Sequence, residues 1–171
     1  MPSTQAASLL ERFVASLEEI DVAWSRTDAN GFESTLESVL EEPAVGVPIP
    51  IDGASLPDTV ETDLDPETVR AAATGVTPAT IAVADYGSVL LESDANGSEL
   101  ASLFSETHVP VIREQDVVGT MADAFEDLGP LLRGDQGDVI VATGPSATSD
   151  MGALVTGVHG PTDVHVVIVE Q

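Results

Sequence analysis

Val139-Ile140-Val141-Ala142 and Val164-His165-Val166-Val167-Ile168-Val169 are two nearly unbroken apolar runs near the C-terminus. Short runs this rich in β-branched residues suit strands covered on both faces, as in a parallel sheet between helical layers. Toward the N-terminus, Val109 to Ile112 offers another such strand, and Ile81 to Val83 with Val89 to Leu91 flank the turn Asp85-Tyr86-Gly87-Ser88 as a hairpin. Helical period fills the intervals. Leu10, Phe13, Val14, Leu17, Ile20 and Trp24 recur at three- and four-residue steps, and Phe32, Leu36, Val39 and Leu40 form a second stripe that stops before Pro43. Asp65-Pro66 reads as an N-cap and first-turn proline opening a helix through Ala73 that Gly75 ends. Ser98 caps a helix through Phe104, and Val117, Met121, Phe125 and Leu128 mark another inward face. Ala44 to Ile51 is extended, and Met151 to Val155 reads as a short apolar helix. Helices alternating with buried strands predict an α/β protein, a three-layer sandwich with a mostly parallel sheet.

The 171 residues fit one domain, 1–171. Against 30 Asp and Glu stand 5 cations, all Arg with no Lys, so the formal charge at pH 7 is -25. That field repels phosphate backbones and anionic headgroups, so neither nucleic acid nor a membrane surface is an expected partner. The content of Leu, Ile, Val and Phe stands well above the roughly 20% floor of disordered chains, and the sequence should fold. With no Cys there is no disulfide, no thiolate nucleophile and no iron–sulfur or Cys-zinc site on this chain. No HxH or HExxH spacing joins its three His, so no metal is expected. Neither a basic leader nor a long apolar run is present, which predicts a cytoplasmic location. The absence of Lys beside so many carboxylates predicts a halophilic protein, kept hydrated and stabilised when salt screens its self-repulsion.

Three segments carry chemical signal. The first is Thr143-Gly144-Pro145-Ser146-Ala147-Thr148-Ser149-Asp150, a polar, glycine-bearing loop between a strand and the expected helix. A helix N-terminus there makes an anion cradle of unpaired backbone N–H groups; alternatively Thr148, Ser149 or Asp150 simply caps the helix. Without Lys it is no Walker loop. The second, Gly157-Val158-His159-Gly160-Pro161, fixes His159 in a tight turn, which suits a positioned acid or base and also a purely structural turn. In the third, Asp85 closes a buried strand, where desolvation would prepare it for acid–base or nucleophilic work, unless it serves local backbone hydrogen bonding alone. Only Asp138, Asp150, Asp163 and Glu170 of the 30 acids lie in residues 138–171. Acidity is thinnest where the two motif loops lie, between and beside the two apolar runs.

In order, Gly75-Val76-Thr77, Ile81-Ala82-Val83-Ala84-Asp85-Tyr86-Gly87-Ser88, Thr143-Gly144-Pro145-Ser146 with Thr148 and Asp150, and Gly157-Val158-His159-Gly160-Pro161 resemble the LUD-domain family, the LutC- or YkgG-like lactate utilisation proteins. The resemblance covers residues 75–171, with 1–74 as a trimmed helical lead-in. It implies a fold like the NagB/RpiA/CoA-transferase group. It also implies an accessory subunit of a system oxidising L-lactate to pyruvate, binding a small carboxylate or anionic cofactor. Iron–sulfur clusters would then sit on LutA/LutB-like partner subunits, with no cofactor bound by this chain alone. Asp85 and His159 are the candidate catalytic residues, with Gly87, Ser88, Gly144, Pro145, Ser146, Thr148, Asp150, Gly160 and Pro161 holding the ligand. Ala147 stands where the family usually has Arg, removing a bidentate clamp for an anion; Gly152 replaces an acidic residue, and Tyr86-Gly87-Ser88 replaces Thr-Gly-Thr. Two other readings are an independent CoA- or nucleotide-dependent transferase or ligase of the same fold group, and a non-catalytic module sensing an organic acid.

Overall fold

The computed structural model describes residues 8–133, 138–150, 153–157 and 159–170. α1 (Leu9–Glu19) starts at a complete capping box, in which the Ser8 hydroxyl accepts from the Glu11 N–H and the Glu11 carboxylate accepts from the Ser8 N–H. Asp21, at a left-handed φ of 55°, turns the chain out of the helix. Trp24 therefore lies in β1 (Ala23–Asp28) and not on the helical stripe that its spacing suggested. α2 (Phe32–Val39) buries Phe32 and Leu36 as expected. After β2 (Ala44–Gly46) and β3 (Val60–Glu61), Asp65 caps α3 (Pro66–Ala71) by accepting from the N–H groups of Glu67 and Thr68.

Gly75 does not end that helix. It sits inside β4 (Thr74–Pro78), where a Cβ would lie 2.0 Å from the Ala101 carbonyl oxygen of α4 (Ser98–Phe104). Only a residue without a side chain lets α4 press this close to the sheet. Ser98 does not cap α4: Gly97 holds the N-cap position at a left-handed φ of 91°, and Asp94 behind it accepts from the Ser98 N–H and the Ser98 hydroxyl at 3.1 and 3.0 Å.

With β7 (Thr107–Arg113) and β12 (Asp163–Glu170), these strands form a six-stranded sheet in the order β1-β12-β7-β4-β2-β3, every neighbouring pair parallel. Side chains alternate across it with period two. Val164, Val166 and Ile168 join Phe13 and Leu17 of α1 in one core, while Val167 and Val169 join Phe32 and Leu36 of α2 in the other.

A second sheet covers the α1 face. β5 (Ile81–Val83), β6 (Ser88–Glu92), β8 (Val117–Val118) and β9 (Val139–Thr143) take the order β8-β5-β6-β9, with β5, β6 and β9 antiparallel. Ala82, Val89 and Leu91 turn toward the first core, and Ile81, Val83 and Leu90 meet Ala124 and Leu128 of α5 (Met121–Leu132). The expected α/β layering with a mainly parallel sheet is thus present. Two details differ. Phe125 points outward at 53% exposure, and the Val139 run belongs to this second sheet, half-covered, with Val141 45% exposed. No helix among the described residues is long and apolar enough to cross a membrane.

Candidate functional site

The Thr143–Asp150 segment does not open a helix. β10 (Ala147–Asp150) pairs antiparallel with β11 (Ala153–Thr156), Thr148 opposite Val155 and Asp150 opposite Ala153. Short apolar runs are ambiguous between the two states, and backbone pairing between the two strands decides this one. The anion cradle expected at a helix N-terminus in this loop is accordingly replaced by a hairpin. Moreover, the Ser146 N–H is already used, donating to the Pro161 carbonyl at 2.8 Å.

That bond is one of several that latch the two motif loops together. The Gly157 N–H donates to the Ser146 carbonyl at 2.9 Å, and Gly160 packs so closely that a Cβ there would meet the Ser146 Cβ at 3.0 Å. Gly144, at φ 65°, supplies the left-handed step that turns β9 toward them. The result is a cleft of about 220 Å³ at the amino ends of β7 and β12. Gly144, Pro145, Ser146, His159, Gly160 and Pro161 line one side, and Ser102 of α4 and His108 of β7 line the other.

Other site residues lie outside this lining. Ser88 sits beneath the cleft, its hydroxyl 2.7 Å from that of Thr143, so the Gly87-Ser88 turn supports β9 from below. Asp85 is not the desolvated carboxylate that its position at a strand end suggested. Its side chain is 39% exposed and ion-paired to Arg12 of α1, and it does not line the cleft. Thr148 and Asp150 are placed by their backbones in the hairpin. His165 of β12 is half-buried, its ring 2.8 Å from the Ser25 hydroxyl, and burial lowers its pKa.

Sequence reasoning passed over His108. Its ring is buried at 1% exposure, with Nε2 2.8 Å from the Thr77 hydroxyl, and burial pushes its pKa down to about 3. A neutral imidazole thus forms the floor of the cleft, while His159 at the mouth is exposed. No Arg, Asp or Glu is among the lining residues. A ligand here would be held by hydrogen bonds and shape, with no counter-charge. No group of three or more His, Asp or Glu side chains suited to a metal occurs among the described residues.

The LUD domain model matches residues 59–169, which takes in β3 through β12 and both motif loops. The chain belongs to the LUD domain family. Curated relatives are named lactate utilization protein C: that of Deinococcus radiodurans is 31% identical over 96 residues, covering 55% of this chain and 45% of that protein. That of Bacillus licheniformis is 32% identical over 103 residues, covering 57% and 42%. The chain therefore spans less than half the length of these relatives. A crystal structure of a DUF162 family protein from Deinococcus radiodurans superimposes with a TM-score of 0.69 at 20% identity, covering 94% of this chain and 96% of that one. The fold is shared with that structure over nearly the whole chain, including most of the residues that precede the matched region.

Proposed function

We propose that this LUD domain protein acts in lactate utilisation as a LutC-like subunit without redox chemistry of its own, and that the cleft between its motif loops binds a small organic acid. The observation that carries the reading is the convergence of Gly144–Ser146, His159–Pro161 and the buried His108 on one cleft of metabolite size. The names of the relatives supply the metabolic context. Since the sequence contains no Cys, electron transfer would fall to iron–sulfur partner subunits. With its imidazole neutral and no Arg present, the cleft suits a carboxylate whose hydroxyl or keto group is recognised by His108 and whose charge remains near the mouth, beside His159. Asp85, the base that a transferase or ligase would need, faces Arg12 and not this cleft, so the geometry favours binding.

The test is titration of the purified chain with L-lactate and pyruvate at millimolar concentrations, followed by backbone amide NMR. Shifts confined to Gly144, Ser146 and Gly160, and lost in Gly160→Val, are expected. Absence of saturable shifts with both acids refutes the binding role. Lactate-dependent reductase activity of the assembly that is unchanged when this chain is omitted refutes the subunit role.

A further inference from the structure

A second cavity, of about 280 Å³, opens at the other end of the parallel sheet, where β2, β4 and β7 terminate. It shares no lining residue with the motif cleft. β2 and β4 are neighbours, but the chain passes from β2 to β3 at the sheet edge, whereas after β4 it runs through β5, β6 and α4 and re-enters this sheet at β7, on the opposite side of β4. The two exits also part across the sheet: Ile49 and Ile51 after β2 pack on the α2 face, whereas Ala79 and Ala82 after β4 pack on the α1 face. Divergence of this kind is a topological switch point, and it leaves a crevice outside the carboxyl ends of the strands where open α/β sheets bind ligands.

The floor of the crevice is apolar, formed by buried Ile51 and Val111. Its rim carries opposite charges that do not meet. Arg113 gives its Nε–H to Asp116, and its two terminal nitrogens make no hydrogen bond among the described residues. Glu92 accepts from the Thr80 hydroxyl at 2.9 Å on one oxygen, and no cation pairs with it among the described residues. Asp94, the other carboxylate of the rim, has both oxygens occupied by Ser98 and Asn96. What the cavity offers is one guanidinium fork, one free carboxylate oxygen and an aliphatic floor between them.

We infer that this crevice is a binding site for a small zwitterion, a free α-amino acid with an aliphatic side chain. The ligand carboxylate meets the planar fork of Arg113, its ammonium meets Glu92, and its side chain covers Ile51 and Val111. A phosphorylated ligand is disfavoured by the two carboxylates of the rim, and a plain amine or plain acid leaves one rim charge unanswered.

The experiment is calorimetric and NMR titration of the full chain with L-leucine, 4-methylpentanoate and 3-methylbutylamine. L-Leucine is expected to saturate at submillimolar to millimolar concentration, shifting the amides of Ala79, Thr80 and Val111. The acid and the amine, each lacking one charge, should bind at least about tenfold more weakly. Glu92→Gln keeps the bond from Thr80 yet should weaken L-leucine at least about tenfold, as should Arg113→Gln. No saturable binding of L-leucine, equal binding of the acid or the amine, or undiminished binding by Glu92→Gln overturns the assignment. Gly160→Val, at the motif cleft, should leave L-leucine binding unchanged, so this inference and the lactate-binding reading stand or fall separately.

Discussion

His108 of β7 and Thr77 of β4 are joined across neighbouring strands, ring Nε2 to hydroxyl oxygen at 2.8 Å, both side chains fully enclosed. Enclosure lowers the His108 pKa to about 3 from an ordinary value of 6.5, so between those limits the unfolded chain binds the extra proton. Stability contributed by keeping this ring neutral is present above about pH 6.5 and is lost as pH falls toward about 3, with a slope of at most about 1.4 kcal/mol per pH unit. His108→Gln cannot titrate, and near neutral pH it should cost about 1–3 kcal/mol through imperfect replacement of the buried bond. Urea unfolding at neutral pH and at about pH 4.5 checks both points. The stability difference between wild type and variant should narrow on acidification; a constant difference means that His108 ionisation is uncoupled from folding.

Gly75 and Gly129 should respond unequally to alanine. At Gly75 the added Cβ meets the backbone of α4 at Ala101, which cannot withdraw without lifting the helix from the sheet. The cost should be at least about 2 kcal/mol, read as a lowered Tm, because overpacking against rigid backbone is not relieved by rotamer changes. At Gly129 inside α5 the nearest atoms are the mobile tip of Arg133, 3.1 Å away. Gly129 precedes Pro130, whose ring crowds a Cβ on a helical neighbour, so the helix propensity gained by Gly129→Ala is offset there and stability should change by no more than about 1 kcal/mol. Equal effects at the two sites would deny that α4 depends on close approach at Gly75.

What the sequence shows and what it hides follows from the range of the forces involved. Phe32 and Leu36, the Asp65-Pro66 cap and the hairpin around Gly87 are set by near neighbours, and each is found where the pattern places it. Trp24 fits a helical stripe by spacing alone; one left-handed residue, Asp21, moves it to a strand. The β10–β11 hairpin is decided by pairing between its own strands and by latching of Ser146 to Pro161 and Gly157, which no local period records. The motif loops themselves were legible as a pair, and they do meet. His108 had no signal, since its place on the cleft floor depends on β7 being flanked by β12 and β4, a fact of topology.

Asp85 and Arg12 form an exposed ion pair, with side chains 39% and 41% accessible. Solvent-screened pairs of this kind contribute about 0–1 kcal/mol. Asp85→Asn should therefore shift stability by less than about 1 kcal/mol and leave any binding in the motif cleft untouched. Loss of lactate or pyruvate binding in Asp85→Asn, with the thermal transition unmoved, would return Asp85 to the site.

The net charge of -25 sets two salt effects against each other. Screening weakens the few ion pairs, among which Arg26 holds Glu114 at 2.6 Å and Glu170 at 3.0 Å, tying β1 to the end of β12 and to the turn after β7. It also weakens repulsion among 30 carboxylates that only 5 Arg oppose. Exposed pairs are worth about 1 kcal/mol at most, and the same five cations cannot multiply them. Repulsion, by contrast, is summed over every pair of carboxylates within a Debye length, which shrinks from about 10 Å at 0.1 M salt to about 3 Å at 1 M. The repulsive sum should dominate, so Tm and the urea midpoint should rise between about 0.1 M and about 1 M KCl. KCl is the informative salt, because sulfate would strengthen apolar burial in any protein and mask the electrostatic origin. Arg26→Gln tests the balance from the other side. Its stability deficit should be largest at low salt and nearly vanish at high salt, while the wild-type gain persists. Stability equal or greater at low salt in the wild type would show that the acidic surface imposes no repulsion worth screening.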